Sequence, residues 1–93
     1  MFQKVEGPKK DHKIKCFTLS TCVWCKRTKA WLTENGYEFE YCDVDLKEGQ
    51  EKQQVRQEME KYSQRISYPI VIINEKDVII GHHIEKLQEA LKA

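Results

Sequence analysis

The segment Ile70–Ile73 constrains the fold of this chain most, because all four of its residues are apolar and branched at Cβ. A short run of this composition, opened by Pro69, predicts a strand that is buried in the core. Residues 74–76 then turn the chain, and Asp77–Ile80 follows as another short apolar strand. So short a connection predicts a hairpin, in which the two strands pair antiparallel.

Strand and helix patterns alternate ahead of this hairpin. Residues 13–19 are a short apolar and β-branched run without Gly or Pro, and residues 38–44 alternate charged and aromatic side chains, so both predict strands. Apolar residues at helical spacing predict helices over residues 23–35, 48–62 and 84–91. The resulting order β-α-β-α-β-β-α predicts an α/β domain with a mixed four-stranded sheet flanked by helices, because the first crossover makes its two strands parallel.

Length and charge exclude several classes of protein. The 93 residues suffice for one domain, which we place at residues 13–93, after an N-terminal extension over residues 1–12. The net charge is only +1, so no basic surface for nucleic acid is expected. No apolar stretch has the length of a signal peptide core or a membrane span, so we expect a cytoplasmic monomer that binds neither nucleic acid nor membrane.

The motif Cys-Val-Trp-Cys over residues 22–25 lies where the first predicted strand passes into the first predicted helix. A cysteine at a helix N-terminus faces unpaired backbone N–H groups and the positive end of the helix dipole, and both favour the thiolate. Lys26 and Arg27 add positive charge next to it. Cys25, one turn further in, is expected to be less exposed and able to attack a mixed disulfide on Cys22. The motif therefore predicts thiol–disulfide exchange, with Cys22 as nucleophile and Cys25 as resolving cysteine.

Metal binding is the alternative use of these cysteines. A zinc site needs a second pair of ligands, yet the chain has no second Cys-x-x-Cys, and His82 and His83 are adjacent rather than spaced as metal ligands. No metal-ligating residues are therefore predicted. An iron–sulfur cluster or metal carrier that uses the same cysteines stays open, because thiolates at an exposed helix N-terminus suit such clusters.

Two segments resemble the glutaredoxin family. The opening half of glutaredoxins is similar to the run CFTLSTCVWCKRTKAWLTENGYEFEYCDVD of this chain. Their closing half is similar to SYPIVII followed by IIGHHIEKLQEAL. The resemblance spans about residues 13–92. It implies a thioredoxin-like fold and an oxidoreductase that reduces protein disulfides or thiol mixed disulfides. It also implies a cis bond between Tyr68 and Pro69 beside the cysteine pair, which would leave the Tyr68 backbone free to pair with an extended substrate peptide.

The resemblance further implies a substrate-binding surface around the two cysteines. We expect residues of the motif, of the segment before the buried strand and of the segment before the last helix to form it: Thr21, Val23, Trp24, Lys26, Arg65, Tyr68, Pro69, Gly81, His82 and His83. No tightly bound cofactor is expected. Glutathione or another low-molecular-weight thiol is implied as co-substrate, and disulfide-containing proteins are the expected partners.

Some positions depart from the glutaredoxin pattern. Leu19 stands where many members have a lysine that holds a glutathione carboxylate, and Gly81-His82-His83 replaces two glycines followed by Ser, Thr or Asp. Val23 replaces the usual proline, and in the family such variants are more able to bridge an iron–sulfur cluster between two monomers. The sequence therefore predicts dithiol chemistry and leaves two electron donors open, a low-molecular-weight thiol and a dedicated disulfide reductase.

Two further cysteines, Cys16 and Cys42, lie on the first and second predicted strands. We interpret them as buried apolar side chains, because free cysteine is among the most buried residue types. The alternative is a second redox pair or a regulatory disulfide between neighbouring strands. Of the two tryptophans, Trp24 is expected at the rim of the site and Trp31 in the core.

Overall fold

A five-stranded mixed sheet forms the centre of the computed structural model, which describes residues 2–64 and 66–92. The strands lie in the order β1-β3-β2-β4-β5. Strands β2 and β3 are parallel, and the other neighbours are antiparallel. The bounds are β1 Gln3–Val5, β2 Ile14–Thr18, β3 Phe39–Asp43, β4 Ile70–Ile73 and β5 Asp77–Ile80.

Three α-helices pack on this sheet: α1 Val23–Glu34, α2 Gly49–Tyr62 and α3 Ile84–Ala90. A short 3₁₀ turn, Val44–Leu46, follows β3. Helix α1 ends just before Gly36, whose φ of 77° lies in the left-handed region that glycine adopts without steric cost. None of the helices among the described residues combines the length and the apolar composition that a membrane crossing requires.

The sheet separates two hydrophobic cores. Residues alternate between its faces along β4, so Val71 and Ile73 join the core under α1 and α3, while Ile70 and Ile72 join the core under α2. All four side chains are buried. The predicted buried strand and its hairpin partner are thereby confirmed, and so is the predicted order of the helices and the remaining strands.

The sheet has five strands rather than the predicted four. The additional strand, β1, lies in the segment interpreted as an N-terminal extension, and it pairs antiparallel with β3 through Gln3 opposite Tyr41. The Tyr41 hydroxyl donates a hydrogen bond of 2.7 Å to Oε1 of Gln3. Three residues, two of them exposed, are too few to show an alternating pattern, so sequence analysis missed this strand. It covers an edge of the sheet that would otherwise present unpaired backbone groups.

The strand register places Cys16 and Cys42 on opposite faces of the sheet. Cys16 lies opposite Tyr41, and Phe17 lies opposite Cys42. Because successive side chains of a strand point to opposite faces, Cys16 packs in the core under α1 and α3, and Cys42 packs in the core under α2. Both are buried free thiols, as interpreted. The alternative of a disulfide between them is wrong, because the sheet lies between the two side chains.

The buried thiol of Cys16 makes stability depend on pH in the alkaline range. Burial raises the pKa of Cys16 from 9.0 to about 12, so the unfolded chain releases this proton at a lower pH than the native protein. This thiol should stabilise the fold fully below pH 9, and its contribution should fall by about 1.4 kcal/mol per pH unit above that. Urea unfolding between pH 8 and pH 11 measures the decline. Cys16→Ala should decline less steeply, and equal slopes in both proteins would contradict the prediction.

Candidate active site

Cys22 caps the N-terminus of α1, just beyond the carboxyl end of the central strand β2. Its backbone is extended, with φ −82° and ψ 117°, and its Sγ accepts a hydrogen bond of 3.2 Å from the backbone N–H of Cys25. The carbonyl of Cys22 accepts a further bond of 3.1 Å from the N–H of Lys26, which begins the helix. The Cys22 sulfur therefore lies at the helix end where N–H groups and the dipole favour an anion.

Cys25 is buried, whereas Cys22 is partly exposed. Burial, together with the hydrogen bond to Cys22, raises the pKa of Cys25 to about 12. Cys25 is consequently a protonated thiol at neutral pH, shielded from solvent, one turn from the partly exposed Cys22. The sequence predicted this difference, with Cys25 less exposed than Cys22.

Asp45 holds the loop that leads into Cys22. Its carboxylate accepts a hydrogen bond of 2.8 Å from the backbone N–H of Ser20 and a second bond from the Ser20 hydroxyl. These bonds lower the pKa of Asp45, so the carboxylate stays ionised at neutral pH. The N–H of Cys22 closes the turn by donating to the carbonyl of Leu19 at 3.1 Å. Sequence analysis missed Ser20 and Asp45, because partners 25 positions apart leave no local signal.

A half-buried ion pair lies close to the buried thiols. The ammonium of Lys29 is 3.0 Å from Oδ1 of Asp43 and 4.0 Å from the ring centroid of Tyr41. The same carboxylate oxygen accepts a hydrogen bond of 2.5 Å from the hydroxyl of Thr18. Burial dominates the raised pKa of Cys25, and the positive charge of Lys29 opposes part of that rise. None of the residues in this ion-pair network was predicted for the site from the sequence.

Trp24 lies at the rim of the site, as expected, with 53% of its surface exposed. The guanidinium carbon of Arg27 is 4.8 Å from the centroid of its ring, and the imidazole of His82 is 5.5 Å away, centroid to centroid. Nδ1 of His82 is also 2.7 Å from the hydroxyl oxygen of the buried Thr28. His82 is therefore joined to α1. The cap of α3 is His83, which makes no side-chain capping bond.

The Tyr68–Pro69 bond is cis, as the resemblance implied. Because β4 runs antiparallel to β2, the residues just before β4 lie at the same end of the sheet as Cys22. The carbonyl of Pro69 accepts a hydrogen bond of 2.8 Å from the N–H of Gly81, which ties this segment to the loop before α3. Burial raises the pKa of Tyr68, so its phenol stays protonated at neutral pH.

The structure brings most of the predicted surface residues to this end of the domain. Thr21, Val23 and Lys26 are exposed next to the nucleophile, Val23 to 57%. Gly81 and His83 flank His82, which reaches the motif through Trp24. Arg65, which we also predicted for this surface, lies outside the described residues.

Comparisons with known proteins agree with this geometry. The glutaredoxin family profile matches residues 14–78. An uncharacterized glutaredoxin-like 8.6 kDa protein in the rubredoxin operon of Clostridium pasteurianum is 33% identical over 81 residues, which cover 82% of this chain and 97% of that protein.

Solved structures show the same similarity over nearly the whole chain. The glutaredoxin of Methanosarcina mazei Go1 gives a TM-score of 0.88 at 36% identity, over 99% of this chain and 88% of that one. The methanoredoxin of Methanosarcina acetivorans gives 0.86 at 39% identity, over 94% and 90%. These structures confirm the thioredoxin-like α/β fold and support a thiol redox function in general. With the profile and the sequence relative in agreement, this chain belongs to the glutaredoxin family.

Proposed function

We propose that this protein is a thiol–disulfide oxidoreductase that reduces protein disulfides or thiol mixed disulfides through Cys22 and Cys25. One observation carries the proposal. The partly exposed Cys22 caps a helix, and the buried Cys25 follows one turn later, with its N–H 3.2 Å from the Cys22 sulfur. A nucleophile that substrates can reach and a protected second thiol within the same turn are what two-step thiol–disulfide exchange requires.

In the first step, the Cys22 thiolate attacks one sulfur of the substrate disulfide. A bond forms between Cys22 and that sulfur, the substrate S–S bond breaks, and the second substrate sulfur leaves with the electron pair and takes a proton from solvent. The N–H groups in the first turn of α1 stabilise the charge on Cys22 before the attack. Asp45 keeps the loop in place through its bonds to Ser20.

In the second step, Cys25 attacks the Cys22 sulfur of the mixed disulfide. The bond between Cys22 and the substrate breaks, and the proton released by Cys25 ends on the departing substrate sulfur. Because the pKa of Cys25 is raised to about 12, this thiol does not compete with Cys22 for the first attack. The substrate leaves as a dithiol, the protein carries a Cys22–Cys25 disulfide, and two electrons from an external donor restore it.

Replacing the two cysteines separately should separate the two steps. Cys25→Ser is expected to accumulate a mixed disulfide on Cys22, seen as a mass adduct under non-reducing conditions, because no thiol remains to resolve it. Cys22→Ser is expected to lose disulfide reduction entirely. Cys42→Ala is the control, since that cysteine lies under α2 and takes no part in either step. Activity in Cys22→Ser would overturn the proposal.

The protected state of Cys25 can be measured directly in the Cys22→Ser variant. Burial, the largest cause of the raised pKa of Cys25, remains in this variant, so Cys25 should react with iodoacetamide at pH 7 at least ~10-fold more slowly than in the urea-unfolded chain, because only the thiolate reacts. Mass spectrometry of the alkylated peptide gives both rates. Rapid alkylation of the native protein at pH 7 would contradict the assigned role.

The external donor is either a low-molecular-weight thiol or a dedicated disulfide reductase. Leu19 in place of a lysine, and Gly81-His82-His83 in place of two glycines followed by Ser, Thr or Asp, both depart from the pattern with which many glutaredoxins hold glutathione. The oxidised protein should be incubated with glutathione, and separately with a thioredoxin-type reductase and its reductant, before its free thiols are counted. Reduction by glutathione assigns the first route, and reduction by the reductase alone assigns the second.

An iron–sulfur carrier is the second candidate function, favoured by Val23 in place of proline next to the partly exposed Cys22. Within the described ranges, no group of three or more His, Cys, Asp or Glu side chains is placed to hold a metal ion. A cluster on Cys22 would therefore need ligands from a second copy or from bound thiols. Anaerobic purification, followed by a visible spectrum and an iron assay, tests this function, and a colourless protein without iron would exclude it.

A further inference from the structure

A single hydroxyl connects the first turn of α1 to the loop before α3. Thr28 is fully buried, and its Oγ1 lies 3.0 Å from the carbonyl oxygen of Trp24 and 2.7 Å from Nδ1 of His82. A hydroxyl has one proton to donate, and a carbonyl oxygen can only accept. Either the Thr28 proton goes to Trp24 and Nδ1–H of His82 donates to Thr28, or the Thr28 proton goes to Nδ1 of His82; both arrangements join His82 to α1 through Thr28.

The bond to Thr28 holds for either neutral tautomer of His82. Burial, with the positive charge of Arg27 and the neighbouring His83 as further causes, lowers the pKa of His82, so the ring is neutral at pH 7. A neutral imidazole has one N–H and one acceptor nitrogen, and a hydroxyl both donates and accepts, so Nδ1 pairs with Thr28 whichever ring nitrogen carries the proton.

His82 and Arg27 hold the Trp24 side chain. The rings of His82 and Trp24 are 5.5 Å apart and inclined by 32°, and the guanidinium of Arg27 lies over the indole at 4.8 Å. Trp24 is two residues from Cys22, so their Cα atoms are at most ~7 Å apart. About half of the indole stays open to solvent, which leaves a fixed aromatic surface beside the nucleophile.

We propose that Thr28 and His82 are positioning residues that hold Trp24 as a fixed aromatic wall, against which the apolar flank of a protein disulfide packs while Cys22 attacks. The inference rests on the proposed disulfide reduction. An indole that is ordered before binding loses less rotamer freedom when a substrate packs on it. The Trp24–Thr28–His82 cluster therefore favours disulfides with apolar neighbours over reagents that touch only the Cys22 sulfur.

Valine at position 28 keeps the shape of the side chain and removes both hydrogen bonds. Thr28→Val should lower the rate constant for reduction of insulin disulfides by the reduced protein about five-fold, which is the effect expected for one side chain that must be ordered on binding. Alkylation of Cys22 by iodoacetamide should keep its rate, because this small reagent does not pack on Trp24. Thr28→Ser keeps the hydroxyl and should restore the insulin rate.

Thr33 supplies a matched control on the same helix. Its hydroxyl donates to the carbonyl of Lys29 at 2.9 Å, the same backbone bond that Thr28 makes to Trp24, but at an exposed position away from the motif. Thr33→Val should therefore leave both rates unchanged. His82→Ala removes the other end of the cluster from a partly exposed position, so it tests the inference even where Thr28→Val does not fold.

Two spectroscopic measurements do not depend on turnover. Nitrogen NMR of the imidazole should show an Nδ1 resonance of His82 that shifts in Thr28→Val, because that variant removes the hydrogen-bond partner of Nδ1. In a Trp31→Phe background, the fluorescence anisotropy of Trp24 should show little fast local motion, and His82→Ala should introduce it. An Nδ1 resonance that is unchanged in Thr28→Val, or an indole equally mobile with and without His82, would overturn the inference.

The rates distinguish failure of this inference from failure of the proposed function. Equal losses of rate toward insulin and iodoacetamide in Thr28→Val would overturn the inference, because Thr28 would then support Cys22 itself. An unchanged insulin rate in both Thr28→Val and His82→Ala would also overturn it, because the position of Trp24 would then not affect the reaction. A wild-type protein that is alkylated at Cys22 but reduces no disulfide overturns the proposed function.

Discussion

The parallel pairing of β2 with β3 is the constraint on which the rest of the structure depends. Parallel neighbours cannot be joined by a tight turn, so a helix has to cross over between them, and α1 is that helix. It begins where β2 ends, which puts Cys22 at a helix N-terminus beyond the carboxyl end of that strand. The same register sets Thr18 opposite Asp43, and the chain continues to Asp45, beside the loop that enters α1. One topological requirement thus positions the nucleophile, the resolving thiol and the carboxylate that holds their loop.

Burial sets the chemistry of the two motif cysteines apart. Cys25 is inside the domain, where a thiolate would be poorly solvated, while Cys22 remains open to a substrate. The ammonium of Lys29, held by Asp43 and by the ring of Tyr41, partly offsets the cost of ionising Cys25 without removing its protection. The two sulfurs are only one helical turn apart, so the difference in their environments comes from burial more than from distance.

Strong local patterns made most of the fold predictable from the sequence. The bounds of β4 and β5 match the expected ones, because turn residues on both sides of a continuous apolar run leave little choice of where the strand begins and ends. The strand β1 has no such pattern, and its place is decided by the edge of β3 rather than by its own three residues. Likewise, the sequence indicated that Cys16 and Cys42 lie on neighbouring strands. Which face of the sheet each side chain occupies depends on the register of β2 against β3, in which Cys42 lies opposite Phe17 rather than Cys16. The cysteine motif was found because both of its members lie in one turn. His82 was expected at the site, but its bond to Thr28, 54 positions away, was not, and Asp45 was missed because its partner Ser20 lies 25 positions away.

The hydrogen bonds of Thr28 also have a consequence for how this chain can diverge. An imidazole nitrogen that loses its hydrogen-bond partner in a half-buried position is costly. A substitution at position 28 alone therefore leaves Nδ1 of His82 without this partner, a substitution at position 82 alone removes the ring that packs on Trp24, and losing the ring at position 24 takes away the surface that the other two hold. We therefore expect the residues at positions 24, 28 and 82 to be kept together, or replaced together, in related proteins.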